Sequence, residues 1–191
     1  MRMRLFAAVL PPPRAAEELA EVLGGLRDLP GATGLRWTGR AGWHFTLAFM
    51  GEVDDGLLPE LRERLGRAAH RTPAFPLRLR GGGHFGRRAL WVGADGEAAT
   101  MRLLAERSLA AARRTGITVD AHRPYTPHLT VARAREDTDL RPYAEALRSF
   151  ESLSWQVDRL CLVRSNLPVR GVRGEQPRYE TVESWPLPDP G

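Results

Sequence analysis

His44-Phe45-Thr46-Leu47-Ala48 and His128-Leu129-Thr130-Val131-Ala132 are two near-copies of one pattern, 84 residues apart in a chain of 191. Both alternate as strands do, and a strand places residues two apart on the same face. Each copy therefore presents an imidazole and a hydroxyl together, His44 with Thr46 and His128 with Thr130. By the same parity Phe45, Leu47 and Phe49 pack inward, and Ala48 and Ala132 leave room for a ligand beside the imidazoles. Arg133 then points away from His128, toward a structural salt bridge.

The repeat extends outward from these motifs. The same shift carries Phe6 onto Leu90 and Ala8 onto Val92, strand onto strand. Helical spacing recurs about a dozen residues after each His, with Leu57 falling on Arg141. The match loosens to about a residue at Leu77–Leu79 against Leu160–Leu162. The chain thus reads as two copies of a strand–helix–strand–helix–strand unit. This predicts an α+β fold of two pseudo-symmetric lobes, mostly antiparallel sheet with outer helices. A central cleft would carry the two His-x-Thr-x strands. Strands are expected over 5–10, 43–51, 75–79, 89–92, 128–133, 153–164 and 178–185. Helices are expected around Ala16–Leu26, Leu57–Ala68, Met101–Ala112 and Tyr143–Phe150. Gly81–Gly86 reads as a hairpin connection rather than a linker, so residues 1–191 are expected to form a single bilobal domain.

Composition excludes several chemistries. All 28 basic residues are arginine, against 23 Asp and Glu, for a net charge of +5. Without lysine there is no P-loop, no Schiff base and no lysine-bound nucleotide. A GC-rich genome accounts for the arginine bias, although guanidinium groups also suit phosphate. The single Cys161 allows neither an intramolecular disulfide nor a Cys-x-x-Cys metal site. No apolar run approaches the roughly 18 residues of a membrane span, and Leu5–Leu10 is short of a secretory core. A cytoplasmic protein with no membrane partner is expected.

Two His and two Thr fall short of a zinc site, because neither strand adds a Cys, Asp or Glu on the His face. They also lack the nucleophile and orienting acid of a serine-type triad. Paired imidazoles instead suit displacement at phosphorus, one taking a proton and the other giving one. Threonine hydroxyls can then donate to the non-bridging oxygens.

Longer stretches carry a family resemblance. His44-Phe45-Thr46-Leu47-Ala48-Phe49-Met50-Gly51-Glu52-Val53 and Arg123-Pro124-Tyr125-Thr126-Pro127-His128-Leu129-Thr130-Val131-Ala132-Arg133 resemble the paired motifs of the 2H phosphoesterase superfamily. With Arg4–Val9, Ala89–Gly93 and Arg178–Glu180, the chain is most similar to the RNA 2′,3′-cyclic phosphodiesterases, also called 2′-5′ RNA ligases. The resemblance implies hydrolysis of a 2′,3′-cyclic phosphate to a 2′-phosphate, with no metal or other cofactor. It makes His44 the proton donor and His128 the acceptor, assisted by Thr46 and Thr130. Arg123 and Tyr125 become substrate-binding candidates. The implied partner is RNA ending in a cyclic phosphate, including tRNA fragments, or a small cyclic nucleotide, acted on by a monomer. Two other readings stay open: an ATP-independent 2′-5′ ligase joining tRNA halves, and a non-catalytic RNA-binding module. His70, His84 and His122 read as exposed or turn residues, and Trp37 and Trp43 as packing.

Overall fold

The computed structural model describes residues 1–120, 124–168 and 175–191. Arg123 and His122 lie outside the described residues. The first strand, β1 (Arg2–Val9), sets the pattern for the rest. Its Leu5, Ala7 and Val9 enter the main core, while Phe6 and Ala8 turn to the opposite face beside Cys161 and Val163. Alternation of this kind follows from the pleat.

Two antiparallel sheets are built around such strands. In sheet A the order is β3 (Phe45–Asp54), β1, β8 (Arg159–Asn166) and β9 (Arg178–Pro186). In sheet B it is β2 (Leu35–Trp37), β6 (His128–Ala134), β5 (Ala89–Gly96), β4 (Phe75–Phe85) and β7 (Trp155–Val157). The expected α+β class with two antiparallel lobes is what forms. The copies exchange strands, however. β4 follows the first motif but pairs with β5 of the other sheet, and β8 follows the second motif but pairs with β1.

Among the described residues four α-helices cover the sheets: α1 (Pro13–Arg27), α2 (Leu58–His70), α3 (Ala98–Arg114) and α4 (Arg141–Leu147). Proline at the start of α1 has a backbone already suited to a first turn. Its Leu19, Leu23 and Leu26 form one buried stripe, each contributing about 1.5–3 kcal/mol by leaving water. α3 packs on β3 and against α2, while α4 packs on β4 and touches α1. Helices are exchanged between copies as the strands are.

Two expectations are corrected and one element is added. Gly81–Phe85 is the second half of β4 rather than a connection, and the turn falls at Gly86–Arg88, where the Arg88 N–H donates to the Phe85 carbonyl at 3.0 Å. Within the strand, glycine is required at position 83 because Trp91 lies opposite, and a Cβ there would run into its indole. Residues 153–164 do not form one strand: the chain leaves sheet B after Val157 and enters sheet A at Arg159. Finally, β2 was not foreseen, since three residues are too few to show a period.

Candidate active site

Both motif strands carry a β-bulge, at equivalent places. In sheet A, Ala7 pairs with Ala48 and Ala8 with Thr46, which leaves Leu47 as the extra residue. In sheet B, Leu90 pairs with Ala132 and Trp91 with Thr130, leaving Val131. An inserted residue reverses the alternation beyond it. Ala48 and Ala132 therefore turn into the core instead of flanking the imidazoles. Phe49 and Arg133 come round to the His face, and Phe49 is 47% exposed. Strict parity had placed both residues on the wrong side. Arg133 forms no ion pair among the described residues.

The two imidazoles are held in the same way. His44 Nδ1 lies 2.8 Å from the Gly42 carbonyl, and His128 Nδ1 lies 2.9 Å from the Thr126 carbonyl. A carbonyl only accepts, so each Nδ1 carries its hydrogen and Nε2 is left for chemistry. The anchors, like the histidines, are 84 residues apart. Thr46 and Thr130 sit half-buried on the same faces. β3 and β6 meet directly, which brings the two motifs together.

Their surroundings differ. The His44 ring lies 4.5 Å from that of Phe6 and 5.1 Å from that of Tyr179. Burial lowers its pKa to about 4; the Gly42 bond opposes this, and the neighbouring His128 and Arg133 reinforce it. A neutral His44 is therefore the resting form at pH 7. His128 stands edge-on to Phe85 at 4.9 Å, with Trp91 at 6.3 Å. Phe85 is 46% exposed and forms one wall beside it.

Further cations gather on this face. β2 pairs with β6 so that Arg36 lies directly opposite Arg133. Burial raises the pKa of Tyr179, and the charges of Arg133, Arg36 and Arg4 oppose this. Arg4 itself stacks over Phe49, its Cζ 4.7 Å from the ring centre. Arg36 was not singled out and Arg133 was put on the opposite face, because the pairing of β2 and the bulge in β6 have no local signature.

The remaining candidates fall as follows. Tyr125 packs against the core, with its hydroxyl buried and without a hydrogen-bond partner among the described residues; burial raises its pKa. His84 bonds the Gly86 carbonyl at 2.8 Å, a turn role, and His70 ends α2. Trp37 and Trp43 donate to the Ala32 and Thr38 carbonyls at 3.2 and 3.1 Å, as packing residues do.

Two sheets facing across paired His–Thr strands define a phosphoesterase-type fold. A crystal structure described as a phosphoesterase matches with TM-score 0.78 and 26% identity, covering 99% of this chain and 100% of that one. The crystal structure of E. coli LigT complexed with 3′-AMP matches with TM-score 0.75 and 28% identity, covering 98% of this chain and 99% of that one. The model of the 2′-5′ RNA ligase superfamily matches residues 11–167, and the chain belongs to that family. An RNA 2′,3′-cyclic phosphodiesterase of Thermus thermophilus is 31% identical over 97% of this chain and 90% of its own length. One of Geobacillus stearothermophilus is 34% identical over 79% of this chain, which spans only 47% of that longer protein. No helix among the described residues is long and apolar enough to cross a membrane.

Proposed function

We propose that this chain is an RNA 2′,3′-cyclic phosphodiesterase, opening cyclic phosphate ends to 2′-phosphates by acid–base catalysis between His44 and His128, without a metal. The observation that carries this reading is the identical anchoring of two imidazoles on equivalent strands, each beside a threonine. Water attacks phosphorus and gives its proton to His128 Nε2. The bond from phosphorus to O3′ breaks, and O3′ takes a proton from His44 Nε2. The histidines finish with their protons exchanged. Thr46, Thr130 and Arg133 face the non-bridging oxygens, where charge develops. His44 is neutral in the free protein, so the anionic substrate raises its proton affinity and loads it as the donor. Arg123, five residues before His128, is assigned to the phosphate, and Tyr125 to the wall behind His128.

Residues 1–191 act as one bilobal unit, a reading supported by the exchange of strands between the sheets. We assign it as a cytoplasmic monomer. The family's name supports a second reading in the reverse direction, 2′-5′ joining of RNA ends such as tRNA halves. With no lysine to carry a nucleotide, that joining draws on the cyclic phosphate and ignores added ATP.

The test is an oligoribonucleotide ending in a 2′,3′-cyclic phosphate, incubated with the purified protein in EDTA. A 2′-phosphate product is expected, and His44→Ala and His128→Ala should each abolish it. Turnover surviving in both variants would overturn the mechanism. RNA binding with no turnover on any cyclic end would instead identify a binding module.

A further inference from the structure

Arg36 and Arg133 oppose each other across the β2–β6 pair. Like charges directly opposite on adjacent strands destabilise a sheet. Neither forms an ion pair among the described residues; Arg133 is exposed, but Arg36 is half-buried, so solvent screens the pair only in part. Both lie on the His face, since Arg133 shares the face of His128 and Thr130 beyond the bulge. The cyclic phosphate carries one negative charge, and Arg133, whose charge also reaches His44, is placed to meet it. That leaves Arg36 in excess of what one phosphodiester neutralises.

We propose that Arg36 holds a second phosphate of the substrate, the one esterified to the 5′ oxygen of the terminal nucleoside, so that the site prefers oligonucleotide ends to cyclic mononucleotides. This rests on the reading of the cleft as a cyclic phosphodiesterase site. A guanidinium binds a phosphate oxygen pair bidentately, and two guanidiniums on adjacent strands can span neighbouring phosphates. The repulsion in the empty site is relieved when both anions are present. Stability lost in the free protein thereby becomes preference for a substrate with two phosphates.

The test compares Arg36→Gln with the unaltered protein on three substrates: a cyclic mononucleotide with a free 5′ hydroxyl, the same nucleotide with a 5′ phosphate, and a dinucleotide with a cyclic end. The expected result is a loss of about tenfold in kcat/KM on the dinucleotide, carried mostly by KM, with the 5′-hydroxyl mononucleotide within about twofold. A similar loss on the 5′-phosphorylated mononucleotide supports the same site, because the second phosphate is then read wherever it is esterified. The melting temperature of the variant should equal or exceed that of the parent, and millimolar inorganic phosphate should stabilise the parent more. Equal loss on all three substrates, or on none, would overturn the proposal. If the unaltered protein turns over no cyclic end at all, the phosphodiesterase reading fails. Phosphate-dependent stabilisation that requires Arg36 would then still test the anion site by itself.

Discussion

His44 shows how one side chain can couple chemistry to stability. In an unfolded chain its pKa is about 6.5, against about 4 in the folded protein. Between those values the unfolded state binds a proton that the folded state refuses. Stability therefore falls as pH drops from about 6.5 to about 4, by roughly 3 kcal/mol if the whole shift is expressed. Urea titrations at pH 7 and pH 4 should show this, and His44→Gln should flatten the dependence. An NMR titration placing His44 near 6.5 in the free protein would contradict it. Arg133→Met offers a second check. Removing its charge should raise the His44 pKa and lower kcat on a cyclic phosphate by about 10²–10³-fold. A loss of rate with no movement of the His44 titration would separate Arg133 from that imidazole.

Among the elements, the motif strands were legible as strands, and His44, Thr46, His128 and Thr130 as facing one way. Period-two alternation suffices for that, up to the bulge. Leu47 and Val131 look like ordinary inward residues; nothing local says that each is an insertion relative to its partner strand. The positions of Phe49 and Arg133 depend on β1 and β5, and so were misread. The Gly81–Gly83 run was misread for a related reason. Glycine usually signals a turn, but here it lets the Trp91 indole lie flat across β4. Gly83→Ala should displace Trp91 from beside His128 and cost about 1–3 kcal/mol. The melting temperature should drop by several degrees and activity should fall, while the His44 titration stays where it is. Unchanged melting would mean that the indole is not held by that glycine.

Across the whole molecule, the repeat predicted two equivalent halves, and the structure interlocks them. β8 of the second copy joins the sheet that holds β1 and β3, and β4 of the first copy joins the sheet that holds β5 and β6. Neither sheet can be assembled from one copy of the repeat alone. Urea unfolding followed by far-UV circular dichroism and by tryptophan fluorescence should therefore give coincident transitions. The fluorescence reports chiefly on sheet B, through Trp37, Trp91 and Trp155. Separate transitions would show that the lobes fold independently. The repeat, the two His–Thr pairs and the exclusion of lysine chemistry are readable from the residues alone, because they depend on residue identity and on the period of a strand. The strand exchange, the bulges and the meeting of Arg36 with Arg133 become visible in the folded chain. Those are matters of which strand lies beside which, and such pairing is fixed by burying both sheets in one core rather than by any local run of residues.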